Sequence, residues 1–181
     1  MSKYVLSVLG CDRPGIVARV SRILSRHQCN IEDLTQTVLQ TEFAAIFIFT
    51  STEDPGENLL KNLKADLEPQ GLSVRLKIME EPCLTRLKAD TFVAVAIGPD
   101  SPGQIAALSG IMKDFNCNIT SIRAINRSHL YPDKIVIIIE MDVPDQTPVD
   151  SLRSSLERTS SSLGLQFSLQ HKDIFESIHR V

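Results

Sequence analysis

The sequence predicts an α+β protein made of two tandem βαββαβ units, each an antiparallel sheet with helices on one face. Three observations carry this. The chain of 181 residues repeats itself: residues 10–31 (GCDRPGIVARVSRILSRHQCNI) match residues 98–119 (GPDSPGQIAALSGIMKDFNCNI) at a constant offset of 88. Ten of those 22 positions are identical, where ordinary composition gives about one or two by chance. Within each copy, segments alternating with period two and segments with helical spacing follow one another in the same order. Finally, Pro, Gly and Asn fall between those segments, where strands and helices start and stop. Two copies are too few for a solenoid, so two domains of one fold are expected.

In the first copy, Tyr4 to Leu9 reads as a strand. Pro14 sits where a helix favours its first residue, with Asp12 or Arg13 near the cap. Ser101-Pro102 repeats that start in the second copy. The helix buries Ile16, Val17, Val20, Ile23 and Leu24, and its counterpart Ile105, Leu108, Ile111, Met112 and Phe115. Asn30 and Asn118 turn the chain into second strands that begin at Ile31 and Ile119. Phe43 to Thr50 pairs back as a third strand. Asp54-Pro55-Gly56 then opens a helix with Leu59, Leu60, Leu63 and Leu67 on one face, and Leu72 to Met79 is the fourth strand. The second copy repeats this with 135–141, a helix after Pro148 carrying Val149, Leu152, Leu156 and Leu163, and 165–171. Gly71-Leu72 and Gly164-Leu165 match at an offset of 93, so the second copy gains five residues, for which Asn126 to Asp133 is the natural home. The expected domains are 1–82 and 91–181, joined by a linker at 83–90. A short helical tail at 173–181 carries Ile174, Phe175, Ile178 and Val181.

Composition excludes several functions. The 19 Lys and Arg against 22 Asp and Glu give a formal charge of −3, which argues against a general nucleic-acid binder. Two Tyr and no Trp leave little for base stacking. No window approaches a membrane span, and the N-terminal apolar stretch is cut off by Asp12 and Arg13 before it could serve as a signal peptide. Cys11, Cys29, Cys83 and Cys117 form no C-x-x-C pair, so packed thiols in a reducing cytoplasm are expected and no metal or cofactor site is. His27, His129, His171 and His179 stand at no catalytic spacing, and the first loop lacks a glycine-rich phosphate cradle, so catalysis is not expected. Arg19, Arg22 and Arg26 form a stripe at i, i+3 and i+7 that the second copy lacks. It reads either as a solvated face or as a docking surface for an acidic partner.

A strand ending in GCDRPGIV, then a helix, then CNIED at the next strand resembles the ACT domain, a ferredoxin-like amino-acid-sensing module. Two such units with nothing appended resemble the glycine cleavage system transcriptional repressor group. The second copy departs from the motif, with Ser101 for the arginine and Gln104 for the first aliphatic residue. The resemblance implies a ligand site between the first strand–helix loop and the start of the second strand, usually where two units meet. Its residues would be Asp12, Pro14, Gly15, Ile16, Asn30 and Ile31, and in the second copy Asp100, Gly103, Gln104, Asn118 and Ile119.

The chemistry suits a zwitterion. A helix N-terminus offers free N–H groups to a carboxylate. A glycine lets the ligand approach the backbone, Asn30 offers donor and acceptor together, and Asp12 takes the ammonium. Plainer readings stand beside these: Asp12 and Asp100 as helix caps, Gly15 and Gly103 as close-packing residues, and Asn30 and Asn118 as turn residues that tolerate positive φ. The expected function is a cytoplasmic regulator that binds a small amino acid such as glycine or serine. It would assemble as a homo-oligomer, a dimer, and act on a protein partner, without direct contact to nucleic acid or membrane. The alternative is a structural module that binds no ligand and assembles through its sheets or helices.

Overall fold

A computed structural model describes residues 2–51, 56–79, 88–126 and 134–179. The chain divides into two units, Met1–Leu84 and Thr85–Val181. Unit 1 runs β1 (Ser2–Cys11), α1 (Ile16–Arg26), β2 (Asn30–Leu39), β3 (Glu42–Ser51), α2 (Gly56–Leu67), one 3-10 turn (Glu68–Gln70) and β4 (Leu72–Ile78). Unit 2 runs β5 (Ala89–Pro99), α3 (Gln104–Asp114), β6 (Asn118–Ile125), β7 (Lys134–Pro144), α4 (Val149–Ser162), β8 (Gln166–His171) and α5 (Lys172–His179). The sheets are ordered β2-β3-β1-β4 and β6-β7-β5-β8, with every neighbouring pair antiparallel. Two βαββαβ units of α+β class are therefore present. Of the expected linker at 83–90, residues 83–87 lie outside the described residues, and Ala89 and Asp90 belong to β5.

Alternation builds each core. Tyr4, Leu6 and Val8 of β1 face the helices with Phe43, Ala45, Phe47 and Phe49 of β3. Over them lie Val20 and Leu24 of α1 and Leu59, Leu63 and Leu67 of α2, all fully buried. Ala94, Ala96, Ile137, Ile139, Met141, Leu108, Met112, Leu152 and Leu156 do the same in unit 2. Each buried Leu or Ile contributes about 1.5–3 kcal/mol, so neither core rests on a single residue.

Glycine at the end of the first strand is required by close approach. A Cβ on Gly10 would lie 2.4 Å from the Gly71 carbonyl oxygen, and one on Gly98 would lie 2.6 Å from that of Gly164. This explains why the Gly-Leu pair at the start of the last strand also recurs.

The second and sixth strands carry a bulge at the same place, between Ile31 and Asp33 and between Ile119 and Ser121. The extra length is divided. Phe43 and Ile135 both sit opposite the glycine of the first strand, at an offset of 92, whereas Leu59 and Leu152 are 93 apart. Four residues are therefore gained between β6 and β7, and the fifth between β7 and α4. The C-terminal tail begins as a helix at Lys172, whose Nζ lies 3.0 Å from Glu140 Oε2, and packs against β5 and β8.

Candidate functional site

The helix starts differ from the expected proline-led cap. Gly15 and Gly103 are the N-caps, with φ of 94° and 89° in the left-handed region, and no side chain caps either helix. Asp12 and Asp100 are therefore not caps. Pro14 and Pro102 stand one residue outside the helix, where their fixed φ leads the chain into a glycine turn that other residues enter with strain. The first bond inside each helix runs to the cap carbonyl, Arg19 N–H to Gly15 O at 3.0 Å and Ala107 N–H to Gly103 O at 2.9 Å. The N–H groups of Ile16, Val17 and Ala18 are thus left pointing outward at the positive end of the helix.

Against that helix start, unit 1 has a recess of about 600 Å3 lined by Asp12 to Ala18 and by Gln36, Val38 and Phe43. The β2–β3 hairpin brings in the last three, and Asp12 is fixed by its own N–H bonding to Thr41 O at 2.7 Å. Arg13 also lines the recess, and its Nη2 donates to the Gln70 carbonyl. The Asp12 carboxylate stays exposed at the rim.

Asn30 and Ile31 do not join this recess. Asn30 pairs with Thr50, which pairs with Lys3 on β1, whereas the recess lies beyond Cys11. Eight residues of strand, about 27 Å, separate the two ends. Asn118 and Ile119 likewise pair with Asp142 and Met141, at the end of the sheet away from Gly98. Nor do Asn30 and Asn118 hold positive φ at the turn; Gln28 and Asn116 do, at 54° and 58°. The residues that do complete the recess, Gln36 and Val38, follow from the topology. β2 runs parallel to β1, so its far end arrives beside the start of α1.

Unit 2 differs in the same place. Gln104 takes the position of Ile16 and is 2% exposed, against 3% for Ile16. Its Nε2 donates to Pro99 O at 2.8 Å, while its Oε1 is buried with no donor. Ile105, expected in the core, is 41% exposed. The glycine cap sets the helix phase, and the first helical residue points inward whatever its polarity. Asp100 accepts from Asn126 Nδ2 at 2.7 Å, so its carboxylate is already engaged.

Of the described cysteines, Cys29 and Cys117 are half-buried beside the cores, and burial pushes both thiols above their ordinary pKa. Cys11 is exposed, unlike the packed thiol expected from sequence. Among the described residues no cluster of His, Cys, Asp or Glu could hold a metal ion, and no helix is long and apolar enough to cross a membrane.

The ACT-domain family model matches residues 3–77 and 90–170, one match per unit. The chain belongs to the ACT-domain family. It is 24% identical over 170 residues to the glycine cleavage system transcriptional repressor of Escherichia coli, covering 92% of this chain and 86% of that protein. A UPF0237 protein of Methanopyrus kandleri is 47% identical over 53 residues, 29% of this chain and 59% of that protein. Among solved structures, an unknown protein from Galdieria sulphuraria superimposes with a TM-score of 0.80 at 20% identity, covering 94% of this chain and 98% of the other. That likeness extends the shared fold across both ACT domains.

Proposed function

We propose that the protein is a cytoplasmic amino-acid sensor whose primary site is the recess of unit 1. The observation that carries this is the pairing of outward N–H groups of α1 with the exposed Asp12 carboxylate at the rim. A ligand carboxylate would meet the amides of Ile16 to Ala18, and its ammonium would meet Asp12. Beside Ile16, Val38 and Phe43 the recess is lined by the Gln36 amide, a partner for the hydroxyl of serine, and glycine would need no partner there. Binding would shift the packing of a homodimer and so signal to a protein partner, to the extent that the two states differ in affinity. Regulation through a partner, without direct DNA contact, fits both the similarity to a transcriptional repressor and the net charge of −3.

Calorimetry against the proteinogenic amino acids tests this. A small amino acid should give heat, and Asp12→Asn should weaken its binding at least tenfold while oligomeric state holds. At ligand concentrations about 100 times the dissociation constant, apparent stability should rise by roughly 2.7 kcal/mol. Silence across the panel at millimolar concentration overturns the reading. The purely structural module is then favoured, supported by the uncovered apolar side chains of sheet 1, Leu9 at 53% and Ile46 at 46% exposure.

A further inference from the structure

The helix layer of unit 1 carries a charge pattern that amino-acid binding does not use. α1 holds Arg19, Arg22 and Arg26 and no acidic residue, so three guanidinium groups share one exposed stripe about 10 Å long. Arg19 Nη1 is paired with Asp66 Oδ1 of α2 at 2.6 Å. Arg22 and Arg26 have no ion-pair partner among the described residues. Beside the stripe, α1 and α2 leave a groove of about 570 Å3 lined by Arg19, Arg26, His27, Ile23, Ala65 and Pro69, with one carboxylate, that of Asp66, which Arg19 already pairs. His27 Nε2 is held by Asn62 Nδ2 at 2.9 Å, and Lys61 and Lys64 add exposed cations on α2.

This is segregation of charge, not an excess of it. Residues 1–84 contain nine Lys and Arg against eleven Asp and Glu. Unit 2 is the internal control: Arg19, Arg22 and Arg26 correspond to Ala107, Gly110 and Asp114. A fold that needed a charged helix face for solubility alone would need it in both copies.

We propose that the α1–α2 groove of unit 1 docks an acidic segment of the protein partner. Arg26 at the groove and Arg22 on the stripe beside it receive its carboxylates, and Ile23, Ala65 and Pro69 receive the apolar parts of the same segment. Arginine suits the task, since its planar fork grips a carboxylate through two parallel bonds. A polypeptide fits better than nucleic acid because the apolar lining is aliphatic, no Phe, Tyr or Trp lines the groove, and the protein is net acidic. The proposal rests on the sensor reading only for the existence of a partner.

The test is fluorescence anisotropy of the full chain with a labelled Ala/Leu-rich peptide carrying Glu at helical i, i+3 and i+7 spacing. Arg22→Glu with Arg26→Glu should weaken binding at least tenfold. Arg22→Gln with Arg26→Gln, which is milder toward the helix, should weaken it at least threefold. Arg75→Glu with Lys77→Glu on β4 makes the same change in net charge and should leave binding within twofold. Equal loss in the β4 pair, no binding at millimolar peptide, or tighter arginine-dependent binding of a DNA duplex each overturns the proposal. Calorimetry with amino acids on the same variants keeps the two readings apart. Their heats should be unchanged by the arginine substitutions, and a silent panel beside arginine-dependent peptide binding removes the sensor and leaves the docking groove.

Discussion

Unit 1 begins its first helix with Ile16 and unit 2 begins its own with Gln104, at equivalent positions with nearly equal burial. Around them the backbone is the same in both: a glycine cap near φ 90°, a glycine pressed against the last strand, and a bulge after Ile31 or Ile119. The side chains that would meet a ligand or a partner are not the same. Arg13 becomes Ser101, Ile16 becomes Gln104, and the arginine stripe becomes Ala107, Gly110 and Asp114. Backbone geometry is retained where a substitution strains the chain, and the side chains carried on it have diverged. The two units share a fold, and the features that point to a ligand or partner are strongest in unit 1.

Exchanging the two first helical residues breaks the comparison most sharply. Ile16→Gln removes a buried aliphatic side chain and buries an amide in its place, which should cost about 3 kcal/mol. Gln104→Ile should change unit 2 far less, within about 1 kcal/mol, because the relief of an acceptor that has no donor offsets the loss of the Nε2 bond to the Pro99 carbonyl. Urea midpoints, with hydrogen exchange to assign each change to its unit, provide the measurement. A loss from Gln104→Ile as large as that from Ile16→Gln would mean that Oε1 meets a donor in solution, and the equivalence of the two positions would fall with it.

The glycine caps give the next effect. No atom lies within 4 Å of a Cβ built on Gly15 or Gly103, so Gly→Ala meets only the left-handed backbone penalty, about 1–2 kcal/mol. The two substitutions should cost the same within about 0.5 kcal/mol in thermal unfolding, with Asn costing less than Ala at either site. A large inequality would show that one loop is held by contacts the other lacks.

The strands and helices were legible because alternation and helical spacing survive in both copies, and Leu59, Leu63 and Leu67 announce a buried face without further context. Three expectations meet a different geometry in the structure, each for a definite reason. The side chain of Asp12 suits a cap, the plainer of its two readings, yet proline followed by glycine moves the cap three residues on. Ile105 was placed in the core by its hydrophobicity, yet the phase set by Gly103 turns Gln104 inward. The family resemblance groups Asn30 with the helix start, whereas within unit 1 a helix and a strand length place the two at opposite ends of the sheet. Gln36, Val38 and Phe43 were missed because they enter through hairpin register, which no local pattern in the sequence encodes.

The smallest contrast lies at the bulge. Glu32 occupies it in unit 1, with Lys3 Nζ at 2.6 Å from its Oε2, and this hydrogen-bonded cation holds the carboxyl below its ordinary pKa. Thr120 occupies it in unit 2 and donates from Oγ1 to the Glu140 carbonyl at 3.3 Å, which does not titrate. A depressed carboxyl pKa stabilises the fold above the unfolded value, and that contribution is lost as pH falls through the folded one. Unit 1 should therefore weaken slightly more than unit 2 on acidification below the ordinary carboxylate range, when hydrogen exchange is followed in both. Glu32→Gln should abolish that increment and leave neutral-pH stability nearly unchanged, since both partners are exposed and the pair is screened by solvent. Added salt should shrink it as well. An acid response in unit 1 that survives Glu32→Gln would place the titrating group elsewhere. Its disappearance would show that the bulge is fixed by strand geometry, and that the residue filling it can acquire or lose a pH response without disturbing the fold.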